Sequence, residues 1–123
     1  MRIVPVAHGN HQVQFTCQVG EAVVSWRGDG PPTLGEALDV ELEIADRLHR
    51  SEIEIVKAEP GLFREPEPVA RARVVAVDED GVLTLSVDGA FLLLETYGPA
   101  LECLAGQVVQ VEAARISVWP TNL

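Results

Sequence analysis

The sequence RARVVAVDEDGVLTLSVDGAFLLLE, residues 71–95, gives the clearest indication of the fold, because it contains three short apolar runs separated by two turn signals. Residues 82–87 alternate apolar and polar side chains, which is typical of a strand with one buried face. The pair Asp88-Gly89 supplies the positive backbone angles that a tight hairpin turn requires. Residues 90–94 are almost wholly apolar, which predicts a strand that is buried on both faces. The stretch therefore predicts an antiparallel meander of three strands.

The same order of elements occurs in the N-terminal part of the chain. Residues 13–19 alternate apolar and polar side chains, and the next apolar run, residues 22–26, follows the pair Gly20-Glu21. Glycine in the first place of a two-residue loop favours a type II′ hairpin turn. An earlier apolar run contains Pro5, and a proline, which has no amide donor, favours an edge strand.

This similarity between two parts of the chain predicts an internal repeat. Residues 35–41 and 106–112 support it, because each stretch begins with glycine and ends in the same apolar–polar alternation. We interpret the chain as one compact domain, residues 1–123, with pseudo-repeat halves 1–57 and 70–119 joined by a Pro-rich connection, residues 58–69.

The fold class that follows is all-β. A meander of three strands, a longer connection and two further strands is the order of an OB-fold or an SH3-like barrel, which each half resembles in outline. A half of about 55 residues buries little core by itself, so we expect the halves to pack together. The sequence predicts an antiparallel small barrel or sandwich of about 8–10 strands, with at most one or two short helical segments, one of them over residues 100–104.

Residues 35–50 are compatible with two interpretations. Residues 38–44 alternate with period two, which favours a strand. Thr33 and Glu36 match a helix capping box, and the apolar spacing that follows also fits a helix. We favour a strand over residues 38–44 followed by a helical turn over residues 45–50, and the helix stays open as the alternative.

The chain is strongly acidic. Its 19 Asp and Glu residues against 9 Lys and Arg residues give a net charge of −10. Such a charge repels nucleic acid phosphates and anionic membranes, and it attracts a basic protein surface. Of the 9 basic residues 8 are Arg, which together with abundant Ala, Gly and Val favours a bacterial source with a GC-rich genome.

The expected location of the protein and the redox state of its cysteines depend on whether the sequence contains targeting signals. The N-terminal residues lack the continuous apolar region of a signal peptide, and no apolar run approaches the roughly 20 residues that span a bilayer. We therefore expect a cytoplasmic protein with no membrane partner and with reduced thiols at Cys17 and Cys103. A disulfide between the two cysteines stays open as the alternative.

The most informative functional pattern is a set of carboxylates on predicted strands. Glu41 and Glu43 alternate along one strand, and Glu52 and Glu54 alternate along the next. If the two strands pair, all four carboxylates lie on one face, and like charges opposite each other are destabilising unless a cation offsets them. A partner with a basic surface would supply that cation, although a solvated strand edge explains the same pattern.

Loop residues give a second set of candidates. Trp26, Arg27 and Tyr97 lie at corresponding loop mouths, where aromatic side chains serve as stacking or interface anchors or cap the core. Asp29 completes an Arg-Gly-Asp tripeptide, which without a secretion signal is more simply a turn. Together with the Arg-rich middle of the chain, these residues make the binding of nucleic acid or another anion the first alternative function, although the net charge argues against it. The five arginines are Arg47, Arg50, Arg64, Arg71 and Arg73.

Histidines suggest a metal site as the second alternative. His8 and His11 place two imidazoles within reach of one ion, and the third ligand would be His49 or a carboxylate. A polar turn before a strand accounts for the same pattern. We assign no catalytic residue and no cofactor, because the sequence shows no nucleophile–base arrangement, Gly-rich phosphate loop or dinucleotide fingerprint.

These observations predict a non-catalytic acidic binding protein that engages a basic protein partner, a description that bacterial inhibitors and immunity-type proteins fit. An unpaired strand edge, at the strand of Pro5 or at residues 52–57, also offers a route to a homodimer. The candidate binding residues are Trp26, Arg27, Asp29, Tyr97, Glu41, Glu43, Glu52 and Glu54.

Overall fold

A computed structural model of the protein describes residues 1–98 and 104–121. This part of the chain forms twelve β-strands and two three-residue 3₁₀ turns, at Arg50–Glu52 and Ala113–Arg115. The prediction of an all-β barrel protein with at most two short helical segments is confirmed, and the strands exceed ten only because three of them are two or three residues long. The strands are β1 (Arg2–Gly9), β2 (Gln12–Cys17), β3 (Gly20–Trp26), β4 (Leu38–Ile44), β5 (Leu48–His49), β6 (Glu54–Val56), β7 (Gly61–Phe63), β8 (Val69–Val77), β9 (Val82–Val87), β10 (Ala90–Tyr97), β11 (Val108–Glu112) and β12 (Ile116–Pro120).

Five strands close a barrel. β1, β2 and β3 pair antiparallel in chain order, and β4 returns to lie beside β1. β12 lies between β3 and β4, parallel to the former and antiparallel to the latter, and so closes the barrel. Three hairpin-connected strands with a fourth beside the first form a Greek key, and a five-stranded Greek-key barrel is the architecture of an OB-fold.

Of the seven remaining strands, six repeat this order as a second ring, and the seventh, β7, pairs with β3 and β8. β8, β9 and β10 form the predicted meander, β11 lies beside β8, and β6 lies beside β11. β5 pairs parallel with β10, as β12 does with β3. β5 and β6 are separated by little more than a 3₁₀ turn. Together, residues 48–56 therefore occupy in the second ring the position that β12 occupies in the barrel. Each ring of strands is thus completed by a segment from the other part of the chain.

The two rings also share a local irregularity. A one-residue bulge interrupts the pairing of β1 with β2 at Val6, and another interrupts the pairing of β8 with β9 at Val75. Bulges bend and twist a strand, which is what a small closed barrel needs. The two rings therefore agree in their backbone pairing. The internal repeat in sequence, with halves 1–57 and 70–119, stays a prediction.

The core lies inside the strands and is mainly aliphatic, with Phe15 and Leu85 among its fully buried residues. One charged residue, Arg50, is only 8 % exposed. Its Nε donates a hydrogen bond to Oγ1 of Thr96 at 3.1 Å, and the Thr96 hydroxyl donates to the carbonyl oxygen of Gly81. The first of these hydrogen bonds ties the first 3₁₀ turn to β10, and the second ties β10 to the turn before β9.

The hairpin turn predicted to begin at Gly20 lies two residues earlier. Cys17 pairs with Gly20, so Gln18 and Val19 form the turn and Gly20 begins β3. Glycine is needed here for a different reason: its φ is +139°, and a Cβ would lie 1.8 Å from the carbonyl oxygen of Leu62. The glycine therefore allows β7 to approach β3 closely.

Within residues 35–50 the favoured strand forms as β4, but the prediction of a helical turn over residues 45–50 is wrong. The chain is irregular after β4, and Leu48 is buried and pairs with β10. The 3₁₀ turn begins only at Arg50, because the side chain of His49 accepts a hydrogen bond from the backbone N–H of Ser51 and so caps the turn at that point.

Two segments expected at the margins of the fold lie beside other strands. β1 pairs with β2 over residues 4–9 on one side, but on the other side it pairs with β4 only at Arg2 and Ile3, so no strand among the described residues pairs with Pro5 there, in agreement with the predicted edge position. The proline adjoins the bulge, where strands tolerate a missing amide. The Pro-rich connection, residues 58–69, contains β7, which pairs with β3 and β8.

Candidate functional site

A groove of about 590 Å³ runs between β4 and β10. Residues 41–45 line one wall, and residues 91–93 with Glu95 line the other. Trp119 of β12 contributes a further side chain. Since β4 and β12 belong to the barrel and β10 to the second ring, the β4–β10 groove lies where the two rings meet.

Exposed apolar side chains form one component of the groove. Phe91 is 64 % exposed, Leu93 60 % and Trp119 45 %. Leu92, between the first two, is buried, so β10 turns one face to the core and the other to the groove. The prediction that residues 90–94 are buried on both faces is therefore wrong. Neighbouring large apolar side chains that stay exposed indicate an interaction surface.

Carboxylates form the second component. Glu41 and Glu43 point outward from β4 because Leu42 between them is buried. Glu95 is exposed in the same way on β10, and the indole N–H of Trp119 donates a hydrogen bond to Glu43. No Lys or Arg lines the groove, and in the described part of the chain none of its carboxylates forms a salt bridge. Three uncompensated negative charges beside apolar surface focus a negative potential in the groove.

Glu52 and Glu54 lie elsewhere, so the predicted face of four carboxylates is not formed. β4 pairs with β1 and β12, and β6 pairs with β11, because the barrel takes its closing strand from residues 116–120. The Glu52 carboxylate accepts a hydrogen bond from the backbone N–H of His49 at 3.0 Å, and it forms a salt bridge with Arg115 at 3.6 Å. Glu54 accepts a hydrogen bond from an amide side chain of β11 at 3.3 Å. This second acidic cluster, Glu52 and Glu54, therefore has partners within the chain.

Trp26 is engaged within the fold. It is buried, and its indole N–H donates to the carbonyl oxygen of Gly30 at 2.8 Å. Arg27 and Asp29 are exposed in the loop that follows, and Nε of Arg27 donates to the hydroxyl of Ser117 at 3.4 Å. Of the two interpretations of this tryptophan, the indole position fits the one in which it caps the core.

Tyr97 lies on the second ring, in a different cluster. Its ring meets His49 edge to face with centroids 5.1 Å apart, and the guanidinium of Arg47 lies 5.1 Å from the ring centroid. The other arginines of the basic middle are engaged one by one rather than gathered around a common site. Their partners are Thr96 for Arg50, Glu21 for Arg64, Gln110 and the Phe63 ring for Arg71, and the Gly106 carbonyl for Arg73.

The two histidines of the predicted metal site lie at the hairpin between β1 and β2. His8 and His11 are both exposed. Asn10 and His11 form a two-residue turn with φ values of 51° and 59°, as in a type I′ hairpin. Within residues 1–98 and 104–121, no group of three His, Cys, Asp or Glu side chains could hold a metal ion.

Cys17 is half-buried at the end of β2. Burial raises the pKa of its thiol, so the group stays protonated near neutral pH and is a poor nucleophile. Cys103 and all but the last residue of the helix predicted over residues 100–104 lie outside the described residues, so the pairing of the two cysteines stays open.

Comparison with protein-family models, curated proteins and solved structures finds no match to this chain. No helix among the described residues is long and apolar enough to cross a membrane. The function is therefore inferred from the chemistry of the groove.

Sequence reasoning identified only part of this groove. Glu41 and Glu43 were candidates because they alternate along a strand. The apolar residues of the groove were missed, because a continuous apolar run is typical of a buried strand. One available signal was the polar face of the preceding strand, residues 82–87, which already indicated that one side of this meander is open to water. The missed residues are Phe91, Leu93, Glu95 and Trp119.

Proposed function

We propose that the protein is a non-catalytic acidic binding module, and that the β4–β10 groove takes a basic segment of a protein partner. The observation that carries this proposal is the composition of the groove. Three carboxylates and three exposed apolar side chains line it, with no Lys or Arg among its lining residues. A segment that has both Lys or Arg and apolar side chains complements both components.

The two components contribute to different stages of binding. Long-range attraction between the acidic protein and a basic segment raises the association rate. Burial of Phe91 and Trp119 then supplies affinity, because aromatic side chains at the centre of an interface carry much of its binding energy. Charge pairs formed next to these rings are partly shielded from water, which strengthens them.

Bacterial inhibitors and immunity-type proteins fit the description of an acidic protein that engages a basic partner, and the proposal extends to that class and to a cytoplasmic location. The two alternatives have less support. The anion site would stack its ligand on Trp26, which is buried and whose indole N–H already donates to the Gly30 carbonyl oxygen. The metal site of His8 and His11 lacks a third ligand within the described residues.

Peptide selection tests the proposal. The immobilised protein is screened against a random library of short peptides displayed on phage, and the enriched peptides are synthesised for binding measurements. We expect them to combine net positive charge with aromatic or aliphatic residues. Enrichment of neutral or acidic peptides, or no enrichment at all, would contradict the proposal.

A charge-neutralised variant then locates the site. In the double variant Glu41→Gln and Glu95→Gln, the selected peptides should bind about tenfold more weakly, because each surface charge pair contributes roughly 0.5–1 kcal/mol. The matched control, Glu65→Gln and Glu79→Gln, removes the same charge from exposed positions outside the groove and should leave the affinity within about twofold. Equal losses in the two variants would mean that net charge, and not the groove, attracts the peptides.

A further inference from the structure

We propose that one end of the five-stranded barrel holds a second binding site, which takes a small organic ammonium ion with an apolar body. The site is a cavity of about 240 Å³ lined by residues 29–33 and 36–38 together with Trp26 and Pro120. This barrel-end cavity and the β4–β10 groove have no described lining residue in common. The inference therefore does not depend on the proposed function.

The barrel-end cavity lies at a mouth of the barrel, where β3 and β12 end and β4 begins. These three strand ends meet because β12 runs parallel to β3 and antiparallel to β4. Trp26, Leu38 and Pro120 continue the rows of inward-facing residues on the three strands, and all three line the cavity. The mouth of a β-barrel is a common position for a small-molecule site.

Hydrogen bonds to the barrel hold the loop between β3 and β4, which supplies most of the cavity lining. The backbone N–H of Arg27 donates to a carbonyl oxygen of β12 at 3.0 Å, and that of Gly35 donates to the carbonyl oxygen of Pro5 at 2.7 Å. Between these two points, the indole N–H of Trp26 donates to the carbonyl oxygen of Gly30 at 2.8 Å. Because this wall is already in place, little ordering is needed when a ligand binds.

Proline rings give the cavity a stiff apolar wall. Pro31 and Pro32 line it from the loop, and Pro120 lines it from β12. A proline ring has almost no rotamer freedom to lose, so contact with a ligand costs little side-chain entropy there. The cavity is smaller than the roughly 300–1,000 Å³ of pockets for drug-sized ligands, so the ligand that fits is about the size of one amino-acid side chain.

Two carboxylates give the cavity a negative charge. Asp29 and Glu36 are among its lining residues, which include no Lys or Arg. Within residues 1–98 and 104–121, neither carboxylate forms a salt bridge. The side chain of Arg27 is directed away from the cavity, because its Nε donates at 3.4 Å to the hydroxyl of Ser117, which alternates with the inward-facing residues of β12.

The combination of apolar walls and unpaired carboxylates selects the class of ligand. A positive charge near Asp29 and Glu36, together with an apolar body against the proline rings, complements both parts of the lining. A carboxylate ligand of the same shape is repelled, and a neutral ligand lacks the charge interaction. A primary ammonium group on a short branched alkyl chain meets these requirements within the available volume.

Three probes of similar shape test the site, namely isoamylammonium, isoamyl alcohol and isovalerate, which are positive, neutral and negative. Each is titrated into the ¹⁵N-labelled protein, and the signals of the Trp26 indole N–H and of the amides of Gly30 and Ala37 are followed. We expect saturable shifts from the ammonium ion with a Kd of about 1–10 mM, roughly fivefold weaker binding of the alcohol, and no saturation by the carboxylate. The inference is overturned if the ammonium ion gives no saturable shifts, or if the alcohol or the carboxylate binds as tightly as the ammonium ion.

A charge variant shows whether the cavity carboxylates hold the cation. In the double variant Asp29→Ser and Glu36→Gln, the ammonium ion should bind about fivefold more weakly, whereas the alcohol should keep its affinity and so report an intact cavity. The matched control is the groove variant, Glu41→Gln and Glu95→Gln, in which the ammonium ion should shift the Trp26 indole signal as it does in the unmodified protein. Equal losses in the two double variants would overturn the inference, because the cation would then respond to the net charge of the protein alone.

Discussion

The groove carboxylates and the second acidic cluster have the same chemistry but opposite relations to the rest of the chain. Glu52 caps a 3₁₀ turn and pairs with Arg115. Glu41 and Glu95 form no salt bridge within the described residues. The second acidic cluster therefore contributes to the fold, whereas the groove carboxylates are available to a partner.

This difference shows that the neighbours of a carboxylate, and not the number of carboxylates, indicate a binding site. The cavity beside the second acidic cluster, of about 320 Å³, is lined by four glutamates and Arg115, so it also keeps a net negative charge, but none of its lining residues is a large exposed apolar side chain. The β4–β10 groove instead sets its charges beside Phe91 and Leu93, which stay exposed. Exposed apolar side chains that lie together, with charged residues beside them, are typical of an interaction surface.

Removal of the groove aromatic should have the largest effect. Phe91→Ala should weaken peptide binding by about 30-fold, or roughly 2 kcal/mol, as expected for an aromatic anchor. The free energy of unfolding should change by less than about 1 kcal/mol, because the ring is 64 % exposed. Fluorescence anisotropy and thermal unfolding measure the two quantities.

The control for this substitution is Val75→Ala. Val75 is also a large apolar residue, 51 % exposed, but it lies on β8 and does not line the groove. Its replacement should leave peptide affinity unchanged. Similar losses in Phe91→Ala and Val75→Ala would indicate non-specific hydrophobic binding.

A higher salt concentration should change peptide affinity more than the stability of the fold, with a smaller effect than that of Phe91→Ala. Between low and high salt, peptide affinity should fall by about tenfold, because the groove attracts its partner through unscreened charge. The free energy of unfolding should change by less than about 1 kcal/mol over the same range, because exposed ion pairs such as Arg115 with Glu52 contribute little. An affinity that does not depend on salt would count against an electrostatic role for the groove.

Single alanine substitutions should separate stability from binding. Glu52→Ala should lower the free energy of unfolding by about 1 kcal/mol, because it removes a cap and an ion pair, and it should leave peptide affinity unchanged. Glu41→Ala should weaken binding about threefold and change the free energy of unfolding by less than about 0.5 kcal/mol. Denaturant unfolding and peptide titration of both variants measure these effects, and the reverse pattern would show that the two regions have been assigned the wrong roles.

Local sequence patterns predict the strands and several turns of this fold. Val87 pairs with Ala90 across Asp88 and Gly89, whose φ values of 49° and 72° are those of the predicted type I′ turn. Such features depend on neighbouring residues. The completion of each ring by a distant segment does not depend on neighbouring residues, because a short apolar strand such as residues 116–120 does not encode which partners it will join.

The candidate site was predictable to a similar degree. Glu41 is marked as outward-facing by alternation along β4, and this much can be read from the sequence. The placement of Glu41 opposite β10, and the exposure of Phe91 and Leu93, depend on how the two rings meet. Whether an apolar strand face is covered depends on tertiary packing, which local hydrophobicity does not reveal.

Chemical-shift mapping tests most directly whether the β4–β10 groove is the binding surface. A selected basic peptide is titrated into the ¹⁵N-labelled protein, and the perturbed N–H signals are assigned. We expect the largest shifts at the amides of Phe91 and Leu93 and at the indole N–H of Trp119, with Arg27 and Glu54 unaffected. Shifts centred on Arg27 or Glu54, with the groove signals unchanged, would contradict this expectation.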